Sequence, residues 1–236
     1  MKNKPTIIVA GEPNSIFLEI FFKSIKLKKY KNPLILICSS KLLKLQMKKL
    51  RFKKKIKTLN PSNINPYNLD NNSINLIDIT FKPNSAFEKI SSKSNNYIKN
   101  SFKVAFKIIK SGLTDKLING PISKKNFLNK KFLGITEYIA DKFLIKNNAM
   151  LIYNKDLSVC PVTTHLPLKS VSKKISKKII FEKVSLIDNF YKRNLSIKPK
   201  IAILGLNPHC ESVEKYNEDE KILKPSIKSL VKLGFN

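Results

Sequence analysis

The sequence predicts an α/β protein built on parallel strands, and three observations carry that expectation. Short runs of aliphatic residues, Thr6–Ala10 and Leu34–Cys38 first among them, have the unbroken apolar character of strands buried on both faces. Stretches with apolar residues at helical spacing separate these runs. Four of the strand-like runs end in sharp turns that hold Gly, Pro or Asn. Strands alternating with helices imply a parallel sheet, and such sheets receive ligands beyond the carboxyl ends of their strands.

Thr6–Ala10 is the first expected strand, followed by the turn Gly11-Glu12-Pro13-Asn14-Ser15. Ser15 is placed to cap a helix with Ile16, Ile20 and Phe21 on its apolar face. Leu34–Cys38 is the second strand, and Ser39 or Ser40 caps a helix through Leu43 and Leu50. Asn60–Ser73, rich in Asn and Pro, reads as a surface loop, and Ile74–Ile79 alternates as a strand. Helical spacing returns over Ala86–Ile109, with Ile98, Phe102, Ala105, Phe106 and Ile109 on one face and Gly112 to close it. Leu117 and Ile118 lead into Asn119-Gly120-Pro121.

The second half repeats the style. A helix is expected over Thr136–Ile145, strands over Met150–Tyr153 and Leu157–Thr163, and a long helix over Ser176–Tyr191 with Phe181, Val184, Ile187 and Tyr191 inward. Lys200–Leu204 reads as a strand ending in Gly205-Leu206-Asn207-Pro208-His209. A last helix over Glu218–Leu233 carries Pro225 near its start and Gly234 at its end. The expected organisation is an N-terminal α/β domain over 1–124 and a second α/β domain over 125–236.

Length and a hydrophobic content of 42% suit a folded protein with a real core. The charge is unusual: 46 Lys and Arg stand against 16 acids, a net of +30. Only Arg51 and Arg193 are arginines, and the lysines run from Lys2 to Lys232. Readers of bases and phosphates favour the bidentate guanidinium, so this pattern reads as a solvated surface shaped by a compositional bias toward Lys, Asn and Ile. No specific nucleic-acid partner is expected; a lysine-rich nucleic-acid-binding protein is the alternative from another class. Cys38, Cys160 and Cys210 lack any C-x-x-C spacing, as in a reducing compartment. No signal peptide opens the chain, and no apolar run approaches the roughly 20 residues of a bilayer span. The expectation is a cytoplasmic protein without a membrane partner.

Both histidines of the chain fall in strand-end turns, His165 in Thr164-His165-Leu166-Pro167 and His209 in Asn207-Pro208-His209. A neutral imidazole is the commonest metal ligand, and two at one sheet edge could share a divalent ion. A structural role for either histidine is the alternative. Cys210 could add a thiolate or be a buried inert thiol. The acidic cluster Glu211, Glu214, Glu218, Asp219 and Glu220 reads as a helix N-terminus complementing its dipole rather than as a metal cage. There is no G-x-G-x-x-G, no Walker phosphate loop and no G-x-S-x-G elbow.

Taken in order, the turns resemble those of the 4-hydroxythreonine-4-phosphate dehydrogenase family of vitamin B6 biosynthesis. The resemblance covers essentially the whole chain. It rests on Thr-Ile-Ile-Val-Ala-Gly-Glu-Pro at the start, Leu-Ile-Asn-Gly-Pro-Ile-Ser-Lys at 117–124 and Gly-Ile-Thr-Glu at 134–137. It continues with Thr-Thr-His-Leu-Pro-Leu at 163–168 and Gly-Leu-Asn-Pro-His at 205–209. The resemblance implies two α/β/α sandwich-like domains with the active site in a cleft between them. It implies NAD- or NADP-dependent, metal-assisted oxidation of 4-phosphohydroxy-L-threonine to 2-amino-3-oxo-4-phosphooxybutanoate, which decarboxylates to 3-amino-2-oxopropyl phosphate. By the same resemblance His165 and His209 bind a divalent metal (zinc, magnesium or cobalt), Thr136 contacts substrate, and the protein is a homodimer. Neither a catalytic residue nor a cofactor-binding residue is assigned.

Three departures qualify what is carried over. The family reads Gly-His-Thr-Glu where this chain has Gly134-Ile135-Thr136-Glu137, and isoleucine supplies neither donor nor charge. The later glycines of the family's Gly-Glu-Pro-Ala-Gly-Ile-Gly-Pro are replaced in Gly11–Leu18. The family continues past the helix closed by Gly234, with a third metal histidine contributed across the dimer interface and a return of the chain to the first domain's sheet. The expectation is a C-terminally shortened member whose first sheet is incomplete. Alternatives within the family are a sister enzyme acting on threonate or erythronate phosphate and a catalytically inactive remnant.

Overall fold

A computed structural model describes residues 4–128, 131–132, 134–210 and 216–236. The chain divides into two compact units, Met1–Ile135 and Thr136–Asn236. The sequence reading draws the boundary after Lys124.

The first unit is built on a five-stranded, wholly parallel sheet in the order β3-β4-β2-β1-β5. Its strands are β1 (Thr6–Val9), β2 (Leu34–Cys38), β3 (Ile56–Thr58), β4 (Ile74–Asp78) and β5 (Leu117–Asn119). Ile7 stands opposite Ile35 on one side and Leu117 on the other, which puts β1 inside the sheet. Ile7, Val9, Ile35, Leu36, Ile37 and Leu76 are wholly inaccessible. Burial of each such side chain stabilises the fold by about 1.5–3 kcal/mol before entropy is counted. The unexpected strand is β3. Its surroundings, Lys53-Lys54-Lys55-Ile56-Lys57, carry no apolar pattern, and it sits at the sheet edge, where lysines discourage further pairing.

Helix α1 (Phe17–Leu27) buries Leu18, Phe21 and Phe22. Ile16 and Ile20 are 63% and 49% exposed, which corrects the expected apolar face. Ser15 lies one residue before the cap; its hydroxyl accepts from the Phe17 N–H at 3.3 Å and donates to the Glu12 carbonyl at 2.7 Å. Helix α2 (Ser40–Lys49) is capped by Ser39, whose hydroxyl accepts from the Leu42 N–H.

Helix α3 (Asn95–Lys110) starts later than the expected Ala86. The Ala86 carbonyl is taken by Gln46 Nε2 at 2.8 Å, and the Glu88 carboxylate accepts from the Asn84 and Ser85 N–H groups. These local bonds compete with a helical ladder. On the buried face Phe102 is inaccessible, with the Phe106 and Phe127 rings at 5.6 and 6.0 Å. Gly112, at φ +81°, closes the helix as expected.

Helix α4 (Ile135–Lys142) leads into the second unit. It stops before the expected Ile145 because Leu144 turns left-handed at φ +56° and the Ile145 N–H returns to the Ala140 carbonyl at 2.9 Å. Helix α5 (Lys177–Leu195) is capped by the Ser176 hydroxyl and places Ile180 and Val184 in an apolar cluster with Leu223 and Leu230. Phe181 packs against that cluster, whereas Ile187 and Tyr191 are only half-buried and Tyr191 donates its hydroxyl proton to Ser158 at 2.9 Å. A wide turn with i→i+5 hydrogen bonding, Asp219–Leu223, precedes α6 (Lys224–Lys232). Pro225 occupies the first turn of α6, where its missing N–H costs no helical bond.

Three expected strands of this unit are corrected. Met150–Tyr153 and Leu157–Thr163 meet in a single antiparallel bridge, Ile152 with Val159, and Lys200–Leu204 joins no ladder among the described residues. The Ile201 N–H instead donates to the Asn236 carbonyl at 2.9 Å. An extended apolar run becomes a strand only when another strand satisfies its backbone, and Ile152, Val159 and Leu204 remain 61%, 52% and 82% exposed. The α/β class therefore rests on the sheet of the first unit.

Candidate functional site

The chain crosses from β1 toward β2 on one side, and β5 pairs on the other, so the order reverses beside β1. Crevices outside such switch points receive ligands in open α/β sheets. Here the turns after β1 and β5 lock together: the Glu12 N–H donates to the Pro121 carbonyl at 2.8 Å and the Gly120 N–H to the Val9 carbonyl at 2.7 Å. A Cβ on Gly120 would lie 2.1 Å from the Ala10 carbonyl oxygen and 2.8 Å from Phe17 Cγ. At Gly11, φ is +74° and a Cβ would lie 2.4 Å from the Pro121 oxygen. Both glycines are required by this turn-to-turn contact.

Glu12 is the residue of this turn that sequence reasoning missed. Although a glutamate in a turn reads as solvated, its side chain is buried, with Oε2 accepting from the Ser94 hydroxyl at 2.9 Å and Oε1 facing the Asn14 N–H at 3.5 Å. Desolvation pushes its carboxyl above the ordinary glutamate value, against the opposing effect of those two donors.

The sequence-predicted site residues all lie in the second unit. Thr136 is half-buried in the first turn of α4, behind Ile135. Its neighbour Glu137 has a buried Oε2 without a hydrogen-bond partner among the described residues, an acceptor left for water or a ligand donor. His165 is exposed, with φ +57°, and His209 is exposed, with φ +56°. Histidine is among the few residues that enter the left-handed region with any frequency, and such backbone clusters at functional sites. Neither histidine terminates a sheet strand, so the expectation that both sit at one sheet edge is corrected.

The turn holding His209 is built by Asp219. Its carboxylate accepts from the Leu206 N–H at 2.8 Å, the Asn207 N–H at 3.0 Å and Asn207 Nδ2 at 2.8 Å. Burial pushes the Asp219 carboxyl up, but these bonds and the Lys224 charge outweigh it and hold the group below the ordinary aspartate value. Asn217 Oδ1 accepts from the Asp219 N–H, capping the wide turn. The acidic cluster thus includes a turn-building carboxylate; Glu211 and Glu214 lie outside the described residues. Cys210 is exposed rather than buried, at φ +59°. A Cβ on Gly205 would lie 2.3 Å from its sulfur, so Gly205 admits that close approach. Among the described residues no group of three or more His, Cys, Asp or Glu is placed to hold a metal ion.

Comparison with known proteins places this architecture among the α/β dehydrogenases. The chain belongs to the family described as pyridoxal phosphate biosynthetic protein PdxA, whose model matches residues 29–236. It is 35% identical over 231 residues to the 4-hydroxythreonine-4-phosphate dehydrogenase of Sulfurihydrogenibium sp., covering 94% of this chain and 69% of that one. The namesake from Wigglesworthia glossinidia brevipalpis is 28% identical over 228 residues, covering 95% and 68%. The crystal structure of 4-hydroxythreonine-4-phosphate dehydrogenase from Klebsiella pneumoniae shares the fold, with a TM-score of 0.82 at 20% identity over 98% of this chain and 73% of that one. Family membership makes the chain an oxidoreductase of pyridoxal phosphate biosynthesis. No helix among the described residues is long and apolar enough to cross a membrane.

Proposed function

We propose that the chain oxidises the secondary alcohol of 4-phosphohydroxy-L-threonine with NAD or NADP, in the cytoplasm and as a homodimer. The 3-oxo acid so formed loses carbon dioxide to give 3-amino-2-oxopropyl phosphate. The observation that carries this reading is the presence of both histidines in left-handed turns within a chain of this family. Exposed imidazoles are suitable donors for zinc, magnesium or cobalt, and we assign His165 and His209 as two ligands of such an ion. Two donors leave a ligand set incomplete, and among the described residues no group of three or more His, Cys, Asp or Glu is placed to hold a metal ion. When bound, the nicotinamide would accept the hydride and the divalent ion would polarise the alcohol oxygen.

The chain's own residues act by positioning. Asp219 holds the Leu206 and Asn207 amides, and so presents His209 on a fixed turn. Thr136 offers a hydroxyl to the substrate in the first turn of α4. The second reading is oxidation of threonate or erythronate phosphate, favoured by the apolar Ile135 where the family has a histidine. The test is the appearance of reduced nicotinamide with purified chain, each metal in turn, and the three phosphorylated hydroxy acids as separate substrates. Turnover of 4-phosphohydroxy-L-threonine above the other two supports the first reading, and the reverse order supports the second. Turnover of none, with the chain folded, leaves the inactive remnant.

A further inference from the structure

Two lysine-rich stretches far apart in sequence converge on one cavity at the amino-terminal edge of the sheet. The cavity has a volume of about 530 Å³ and lies where β2 and β4 begin. Lys26, Lys28, Lys29 and Lys31 approach it from the end of α1, and Lys54 from the lead into β3. Its one carboxylate, Asp70, accepts from the Asn72 and Ser73 N–H groups at 2.7 and 3.3 Å and closes its own turn. None of the five lysines makes an ion pair with a described residue. Lysines scattered over a surface are solvated individually, but five around a cleft with one engaged carboxylate focus their field on its interior.

The walls are set in advance. Asn71 donates from Nδ2 to the Tyr30 and Asn32 carbonyls, both at 2.9 Å, and accepts from the Leu34 N–H at 2.9 Å. Asn75 Nδ2 donates to the Leu34 and Asp70 carbonyls at 3.0 and 2.6 Å. These bonds tie the lysine-bearing loop to the start of β4. Phe21, Ile25, Leu69 and Ile74 give the cavity an apolar floor. The volume lies within the roughly 300–1,000 Å³ of small-molecule sites.

We propose that this cavity binds a small organic polyphosphate, with phosphates on Lys28, Lys29, Lys31 and Lys54 and an apolar or flat body on the Phe21–Ile25 floor. Lysine serves such anions as a movable point charge. The site lies at the opposite end of the strands from the turns after β1 and β5, so its ligand differs from anything bound there.

The test is calorimetric titration of ATP, without metal, into three forms of the full chain. One is wild type, one is Lys28→Glu/Lys29→Glu/Lys31→Glu, and one is Lys99→Glu/Lys103→Glu/Lys107→Glu. The second triple lies on the exposed face of α3 and makes the same change in net charge away from the cavity. The expected result is saturable binding that weakens about tenfold or more in the cavity triple and hardly at all in the α3 triple. Hydrogen exchange should show ATP protecting backbone amides of residues 28–34 and 69–74. Tripolyphosphate should bind more weakly than ATP if the floor holds the body. Equal weakening in both triples, no saturable binding by wild type, or protection only by long single-stranded RNA would overturn the proposal.

Discussion

The two units bury their apolar residues in different ways. In the first, a parallel sheet satisfies its backbone internally, and Ile7, Val9, Ile35, Leu36, Ile37 and Leu76 lose all contact with solvent. In the second, α5 and α6 enclose a small cluster around Ile180, Val184, Leu223 and Leu230, while extended segments keep Ile152, Val159 and Leu204 exposed. Similar apolar runs therefore reach opposite fates, and the difference lies in whether a neighbouring strand is present to accept their hydrogen bonds. The histidine turns belong to the second unit, where single side chains such as Asp219 replace a ladder as the organising contact.

Substitutions should reveal this contrast in order of size. Phe102→Ala opens a cavity under the first sheet and should cost about 3–5 kcal/mol, measured by denaturant unfolding. A loss below about 1 kcal/mol would mean that the first unit is not close-packed. Gly120→Ala drives a Cβ into the Ala10 carbonyl and should cost about 3 kcal/mol, with the turns after β1 and β5 forced apart. Asp219→Ala leaves the Leu206 and Asn207 amides without their acceptor and should cost about 2 kcal/mol. Its hydrogen-exchange effect should be confined to residues 205–210 and the start of the wide turn. At the small end, Leu204→Ser should change stability by no more than about 0.5 kcal/mol, since the side chain is 82% exposed.

Two of the buried carboxylates, Asp219 and Glu12, sharpen the comparison through pH. Asp219 is held below its ordinary value, so its contribution is full above the unfolded aspartate value and lost as pH falls through the folded one. The stability advantage of wild type over Asp219→Asn should grow as pH rises across that window. Glu12 is pushed above its ordinary value, so the folded state is favoured below the unfolded glutamate value and loses ground as pH rises through the folded one. Wild type should lose stability relative to Glu12→Gln over that rise. Urea unfolding of the three proteins across the acid range distinguishes these opposite slopes from parallel ones.

Much of the first unit is legible in the sequence, because β1, β2, β4 and β5 announce themselves by apolar runs, those of β1 and β5 ending in Gly/Pro turns. Strand β3 is not, because an edge strand among lysines carries no apolar signal. The second unit's extended runs are misread for the reason that separates the units: an apolar pattern does not specify the strand that must pair with it. His165, His209 and Thr136 are visible as rare or motif residues, but the left-handed backbone and exposure of the two histidines are not. Glu12 and Asp219 escape because their roles depend on distant partners, Ser94 at 82 positions away and Leu206 at 13. The Lys-rich stretches at 26–31 and 53–55 look like ordinary surface until the sheet brings Lys54 to the same cavity as the first group.

The claim that His165 and His209 serve one site is tested most directly by calorimetric titration of zinc, magnesium and cobalt into four proteins: wild type, His165→Ala, His209→Ala and the double variant. Two ligands of one ion predict that each single substitution weakens binding nearly as much as both together. Independent, additive losses, or no divalent-ion binding by wild type, would contradict it.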